Sequence, residues 1–433
     1  MNKEILRLAI PNIISNLSVP LLSFVDVALM GHLENAEYIL TIGFGVMIFN
    51  FIFWGFGFLR MGTSGFAAQE YGRNNHKECL FVLYRALLIA IIGAVLLIIF
   101  RGYLIRLSLQ FIDTTPEVEI YITDYFNIRI LSAPATISIF AFTGWFFGMQ
   151  NARIPMIIAV MVNLLNIGFD VWFVKFAKMD SRGAALGTLI AQYCGLLLAV
   201  ILFYKCYGYI HCHYENRGLF NVKKIKKFVS VNSDIFIRTV CLIVTFSFFK
   251  IQSGKQGIIL GSANIILFEF FTIIAYGVDG FSYAAESVVG KYFGAGDKEN
   301  YKKAIKRFFQ WGLGFGAIMV FAFYLFGMNM VQILTDNKAV IEAAKPYMYW
   351  IIAAPVINAV PFIWDGVFIA ITASKEMRNT MLFSTLLIFF PTFYIFRNSA
   401  GNHALWLALI LFMMARGISQ SFIFKSMSLR GRG

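Results

Sequence analysis

Long apolar segments alternate with short polar connections along almost the whole chain. A membrane-spanning helix needs about 20 consecutive, mostly apolar residues. Twelve segments reach that length, and the longer ones predict helices that tilt or extend beyond the bilayer. They comprise residues 5–31, 38–71, 79–108, 117–149, 153–177, 183–207, 226–252, 257–292, 300–330, 338–373, 376–397 and 402–427. The pattern therefore predicts an all-α integral membrane protein with twelve transmembrane helices.

The chain also repeats itself at an offset of about 221 residues. Gln69-Glu-Tyr-Gly72 ends the second segment and Lys291-Tyr-Phe-Gly294 ends the eighth, each before a basic loop. Pro134 in the fourth segment and Pro355 in the tenth predict equivalent bends, because proline removes a helical hydrogen bond.

This repeat predicts two pseudo-symmetric six-helix lobes. The N-terminal lobe comprises residues 1–207, a cytoplasmic connecting loop residues 208–225, and the C-terminal lobe residues 226–433. Parallel repeats of this kind favour a transporter that works by alternating access, although channels and membrane enzymes can also be duplicated.

Composition and charge support the membrane assignment and orient the helices. Of the 433 residues, 59% are hydrophobic and only 14% are charged, which excludes an ordinary soluble protein. Lys and Arg number 22 on the side that carries both termini and 10 on the opposite side, so the positive-inside rule predicts cytoplasmic termini. The net charge of +14 follows from this bias and predicts contact with anionic lipid, not nucleic acid. We find no cleavable leader and expect the N-terminal segment to be retained.

Ionisable residues within the predicted spans are the candidate chemistry, because a charge in the hydrocarbon region is costly. Asp26, Tyr125, Asp170 and Thr188 each fall roughly 8–12 Å inside the outer end of their helix at 1.5 Å per residue. Asn166 and Asp170 are four residues apart and share a helical face.

Oxygen-bearing side chains at one depth suit a hard cation such as Na⁺. They also suit a proton, because burial favours the neutral carboxylic acid. A purely structural hydrogen-bonded network is the alternative.

The second lobe contains weaker candidates. Asp365 lies in the tenth span and is a candidate for lining a cavity, while Asp279 and Glu286 share one face of the eighth span. Arg60, Arg129 and Arg238 are candidates for neutralising Asp279 and Glu286 or contacting a substrate. The chain has no phosphate-binding loop and no His-Glu-x-x-His helix, so we expect neither ATP hydrolysis by that route nor metalloprotease activity. A membrane-embedded enzyme is another hypothesis, but the chain lacks a nucleophile–base or metal constellation for it.

Several short segments, in order along essentially the whole chain, make the sequence resemble the multidrug and toxic compound extrusion (MATE) family and its DinF-like branch. These segments are Ala9-Ile-Pro-Asn12, residues 25–33, residues 163–170, residues 183–192, residues 279–286, residues 364–370 and Glu376-Met-Arg-Asn379.

The resemblance implies a secondary antiporter with two lobes around a V-shaped cavity, which exports drug-like, often cationic or lipophilic compounds in exchange for H⁺ or Na⁺. It implies that Asp26 is the central coupling residue. It further implies that Asn166, Asp170 and Thr188 complete a cation site, that Tyr125 is a neighbouring polar residue, and that the first helix can bend at Pro11. Asp365 matches an acidic position used more in the NorM-like branch. The acidic residue that this branch has early in the seventh span is missing, and Arg238 lies nearby instead.

On this resemblance we expect no cofactor beyond the coupling ion, small-molecule substrates, and a monomer in the inner (plasma) membrane of a bacterial cell. A flippase for lipid-linked saccharide or other lipid precursors is the alternative function. Such a flippase is expected to have more spans and an arginine-rich cavity for pyrophosphate.

Overall fold

The described part of the protein is helical from end to end and contains no β-strand. The computed structural model describes residues 1–30, 36–110, 112, 114–177, 179–212 and 218–429, apart from the side chains of residues 17–30, 36–40, 42, 175, 180 and 211–212. The α-helices are α1 (Asn2–Met30), α2 (Ala36–Gly72), α3 (His76–Ile99), α4 (Arg101–Leu109), α5 (Pro116–Arg129), α6 (Ala133–Gly148), α7 (Arg153–Asp170), α8 (Asp180–Cys212), α9 (Val222–Gly254), α10 (Ile258–Ala295), α11 (Lys298–Leu334), α12 (Lys338–Ala344), α13 (Met348–Ala370), α14 (Ser374–Phe383), α15 (Phe390–Ala400) and α16 (Asn402–Leu429).

These helices form twelve long helical segments, which confirms the predicted all-α membrane fold. Four of the segments consist of two helices each, namely α3 with α4, α5 with α6, α12 with α13 and α14 with α15. Within the described residues, ten segments are long and apolar enough to cross a membrane, and α1 and α9 complete the twelve. Helices such as α10, with 38 residues, are about 57 Å long and exceed the roughly 30 Å hydrocarbon core.

Large apolar side chains cover much of the outer surface, as expected of a chain whose solvent is lipid. Helix α11 is the clearest case, because Ile318, Phe321 and Tyr324 are each at least 67% exposed. Only 17% of the apolar 18-residue stretch by which this helix can cross a membrane is buried within the protein. A soluble protein rarely exposes an apolar surface of this extent.

By internal packing the chain divides into two compact units, Ile14–Phe228 and Met1–Ile13 with Val229–Gly433. The first unit has a core around the buried rings of Trp145 and Phe146. The second has a core around Phe271 and Trp406. The first thirteen residues therefore pack with the second half of the chain. The lobe boundary within residues 208–225 stays a prediction.

The backbone repeats more regularly than the sequence does. Gln150 and Thr372 both adopt positive φ, at 63° and 56°, and lie 222 positions apart. Asn74 and Gly296 form a second pair with the same offset, at 57° and 73°. The residue after each member of this second pair, Asn75 or Asp297, caps the next helix with its side chain.

Close helix packing also recurs at this offset. A Cβ added to Gly144 would lie 2.2 Å from the carbonyl oxygen of Arg60, and a Cβ added to Gly366 would lie 2.4 Å from that of Ser282. Both members of each contact are 222 positions apart, so α6 crosses α2 as α13 crosses α10. These glycines are required because the backbones approach too closely for any side chain.

The two prolines of the repeat do not produce equivalent bends. A 3₁₀ turn at Ile130–Ser132 ends two residues before Pro134 and separates α5 from α6. Helix α13 continues through Pro355, and its own 3₁₀ turn lies earlier, at Lys345–Tyr347. Pro346 lies within that earlier turn, so in the second half the break occurs at a different proline.

Candidate ion-coupling site

Helices α7 and α8 bring three of the candidate residues together in the first unit. The Asn166 amide donates hydrogen bonds to Asp170 Oδ2 at 2.9 Å and to Thr188 Oγ1 at 3.2 Å. Thr188 in turn donates to the Ala184 carbonyl oxygen at 3.0 Å, which fixes the orientation of its hydroxyl. Asn166 and Asp170 are buried, as their position on one face of α7 predicted.

Gly187 creates the space in which the Asp170 carboxylate lies. A Cβ at this position would lie 2.2 Å from Asp170 Oδ1 and 3.1 Å from the Asp170 backbone nitrogen. Any residue other than glycine would therefore displace the carboxylate. Gly187 directly precedes the candidate Thr188, but no pattern in the sequence indicates its role.

A π-helical segment, Val171–Phe176, begins immediately after Asp170. A π turn contains one more residue than an α turn and occurs often at functional sites. Gly183 packs closely against this segment, because its Cβ would lie 3.0 Å from that of Phe173. The chain thus leaves regular α-helical geometry at the residue that carries the carboxylate.

The chemistry of this cluster fits a hard cation or a proton. Its oxygen-bearing groups are a carboxylate, an amide and a hydroxyl, and the absence of a side chain at Gly187 leaves room for the Asp170 carboxylate. Because the Asn166 NH₂ group donates to both neighbours, its carbonyl oxygen is directed elsewhere and is a further candidate oxygen ligand. Oxygen ligands of this kind suit Na⁺.

Tyr125 and Arg129 form a second group on α5. The Arg129 guanidinium donates a hydrogen bond to the Tyr125 hydroxyl and lies over the Phe49 ring, 4.8 Å from its centroid. The Arg129 Nε atom is buried and has no acceptor among the described residues. Tyr125 packs closely on α2, since a Cβ at Gly45 would lie 2.5 Å from its ring.

Two predicted residues lie on α1. The side chain of Asp26 lies outside the described residues, so its relation to Asp170 is not described. Helix α1 continues through Pro11, and Asn12 beside it is buried with neither side-chain amide atom hydrogen-bonded within the described part of the chain. The boundary between the two packing units falls after Ile13, two residues beyond Pro11.

Asp365 lies in a different environment in the second unit. Its Oδ2 atom accepts hydrogen bonds from Arg238 and, at 2.7 Å, from Arg416. Its Oδ1 atom accepts one from Gln420 at 2.6 Å. All four side chains are at most 5% exposed. Two guanidinium groups thus already neutralise the charge of the Asp365 carboxylate.

Arg238 was predicted to neutralise acids of the eighth span or to contact substrate, whereas its pairing with Asp365 and the roles of Arg416 and Gln420 were missed. Their spacing of four residues within an apolar span was an available signal, because it places both on one face of α16.

Glu286 is fully buried on α10. Lys250 and Glu269 form a half-exposed ion pair at 3.4 Å.

A sequence profile of the MatE family matches residues 11–172 and again residues 240–395. The chain belongs to the MatE family. Two matches, one in each half, also support the internal duplication.

Named relatives agree with the MatE assignment. The chain is 33% identical over 434 residues to DNA damage-inducible protein F of Escherichia coli K12. The alignment covers 98% of this chain and 92% of that protein. The chain is 25% identical over 367 residues to the probable multidrug resistance protein NorM of Thermotoga maritima, covering 80% and 75% of the two chains.

Solved structures of MATE proteins share the fold. The crystal structure of MATE in the bent conformation superposes with a TM-score of 0.87 at 17% identity, over 100% of this chain and 96% of that one. The Vibrio cholerae MATE transporter VcmN D35N mutant superposes with a TM-score of 0.87 at 15% identity, over 99% and 97%. Because members of the MatE family are transporters, this MatE protein is a multi-pass membrane transporter and not an enzyme.

Proposed function

We propose that this MatE protein is a cation-coupled antiporter that exports drug-like compounds by alternating access. The observation that carries the proposal is the buried cluster of Asn166, Asp170 and Thr188 in the first unit. Buried ionisable groups within membrane spans usually mark ion or substrate pathways. The names of the relatives support drug extrusion, since one is a probable multidrug resistance protein and others are multidrug and toxin extrusion proteins.

In this proposal Asp26, Asn166, Asp170 and Thr188 hold the coupling ion, either Na⁺ or H⁺. Sodium would be bound by the carboxylate, amide and hydroxyl oxygens, while a proton would reside on a carboxylate. Arg129 and Tyr125, with Pro11 as a bending point, are the candidates for responding to ion binding or contacting substrate. Gly187 supports this assignment because a side chain there would displace the Asp170 carboxylate from its position beside Asn166.

We assign the coupling to the first lobe alone. Asp365 is satisfied on both oxygens by Arg238, Arg416 and Gln420, so a cation there would have to displace a guanidinium. The same contacts argue against a lipid-precursor flippase. Such a transporter needs arginines available for pyrophosphate, and in this chain both of these arginines bind an internal carboxylate.

The charge distribution supports a protein with cytoplasmic termini in a bacterial inner membrane, where positively charged loops stay inside. The E. coli relative supports the bacterial location. We further propose that the protein acts as a monomer, since each lobe supplies its own buried core.

The decisive experiment is efflux of ethidium from proteoliposomes under an imposed pH or Na⁺ gradient. The parent is compared with Asp26→Asn and Asp170→Asn, and we expect both variants to lose gradient-driven efflux. Loss of parental efflux when only one gradient is collapsed identifies the coupling ion. Asp124→Asn is the matched control, because Asp124 forms an exposed ion pair with Arg182 at 2.6 Å. Efflux by both site variants at the parental rate would overturn the proposal.

A further inference from the structure

A cavity of about 150 Å³ lies beside α3 in the first unit, at the start of α9. Leu88, Ile89, Leu219, Phe220, Ile225 and Phe228 supply most of its lining. Tyr84 and Arg85 complete the lining, so the wall is almost entirely apolar. Leu88 is 43% exposed and Phe220 is 70% exposed, which places the cavity at the protein surface.

Arg85 fixes the wall of this cavity through its hydrogen bonds, and its guanidinium is therefore not available to bind a ligand. Its Nε donates to the Leu219 carbonyl at 2.9 Å and its Nη2 to the Gly218 carbonyl at 3.2 Å. Its Nη1 donates to Glu78 at 2.6 Å, and Lys224 binds the other oxygen of Glu78 at 2.7 Å. The turn at residues 218–220 and the start of α9 are thereby fixed against α3.

Basic side chains surround this fixed turn. Lys223, Lys226 and Lys227 are exposed in the first turns of α9, and within the described residues none of the three forms an ion pair. Lys77 lies 5.6 Å from the centroid of the Phe81 ring, on the neighbouring turn of α3. Residues 218–228 contain four lysines and no acid, and Glu78, which binds Lys224, is also paired with Arg85. The rim therefore carries an excess of positive charge next to an apolar opening.

We infer that this surface binds an anionic phospholipid, with an acyl chain in the cavity and the phosphate at the lysines of α9. The apolar lining matches a hydrocarbon chain, and the unpaired lysines match a negatively charged headgroup. The cavity lies along α3, a helix apolar enough to cross the membrane, so the acyl chain reaches it from within the bilayer. The fixed turn is preformed, so binding does not require ordering of residues 218–220.

The test uses the full-length protein in vesicles that contain a phosphatidylglycerol bearing a photoactivatable diazirine on its acyl chain. Adducts are located by peptide mass spectrometry, and a phosphatidylcholine probe with the same chain is the reference. We expect phosphatidylglycerol adducts on the peptides that contain Leu88 or residues 219–228. Lys223→Gln/Lys226→Gln/Lys227→Gln should reduce the preference for phosphatidylglycerol at least about fivefold, the factor for one lysine at an anionic surface.

A matched triple variant, Lys302→Gln/Lys303→Gln/Lys306→Gln, removes the same charge from the exposed first turns of α11 and should leave these adducts unchanged. The α9 variant retains Lys224 and its ion pair, and its helical circular dichroism checks that it is folded. Equal labelling by the two probes, or an equal loss in both triple variants, would overturn the inference. Displacement of the probe by ethidium would also overturn it, because the cavity would then be a substrate site.

Discussion

Substitution of Gly187 by alanine tests the candidate site at its tightest point. The added Cβ would lie 2.2 Å from Asp170 Oδ1, whereas ordinary contact begins at 3.4 Å. The carboxylate must therefore retreat by roughly 1 Å. This movement stretches the 2.9 Å hydrogen bond from Asn166 beyond hydrogen-bonding distance.

The loss can be estimated from that single bond. A hydrogen bond to a charged group contributes about 1.5–3 kcal/mol. Because about 1.4 kcal/mol corresponds to a factor of ten, the apparent affinity for the coupling ion should fall by about one to two orders of magnitude. If the added Cβ met no clash, the same substitution would stabilise the helix by about 0.5–1 kcal/mol. A clash at Asp170 and an unobstructed Cβ therefore predict opposite effects on the stability of the protein.

The assay measures ethidium efflux from proteoliposomes as a function of the driving-ion concentration, together with the thermal unfolding midpoint in detergent. Gly168→Ala is the control on α7, because its Cβ would meet nothing within 4 Å. We expect Gly187→Ala to need a higher ion concentration for half-maximal efflux, while Gly168→Ala behaves as the parent. Parental efflux and a raised midpoint for Gly187→Ala would refute the reasoning.

Three further substitutions test other contacts. Asp365→Ala leaves two buried guanidinium groups without their carboxylate and should destabilise the protein by about 3–5 kcal/mol, so an unchanged thermal midpoint in detergent would contradict the ion-pair assignment. Gly144→Ala should destabilise the first unit by about 1–3 kcal/mol through its backbone contact, whereas Gly57→Ala, with nothing within 4 Å, should not lower the thermal midpoint. The pKa of Asp297 is lowered by the Asn300 side chain and then by its backbone N–H, so this cap stabilises the start of α11 at neutral pH and is lost as pH falls below about 4. The protection of that turn against hydrogen exchange, corrected for the intrinsic exchange rate at each pH, should therefore fall in acid, and Asp297→Asn should remove this pH dependence.

The sequence predicted features that depend on spacing along one helix. The i, i+4 relation of Asn166 and Asp170 specified their shared face, and Thr188, expected at a similar depth, lies within hydrogen-bonding distance of Asn166. Hydropathy alone located the twelve spans. These predictions succeeded because helix geometry converts sequence separation directly into position.

Features that depend on another helix were not predictable in this way. Arg416 binds Asp365 across 51 positions of sequence, and no local pattern specifies that pairing. Gly187 acts through the atoms that a side chain would meet, which are known only once α7 and α8 are packed. Equivalent bends at Pro134 and Pro355 were predicted from sequence similarity alone, but the 3₁₀ turns lie at different distances from the two prolines.

Gly144 packs against one backbone carbonyl and Gly366 packs against another. The two glycines are 222 positions apart, and so are the two carbonyls. This recurrence bears on how the two halves evolved. The duplicated halves have retained the contacts that specify the backbone, while the residues that supply those carbonyls, Arg60 and Ser282, have diverged in charge. Descent from one ancestral half has therefore preserved a common scaffold and left its polar chemistry free to change. Within such a lineage, ion chemistry can be lost from one half or gained in the other without redesign of the helix crossings.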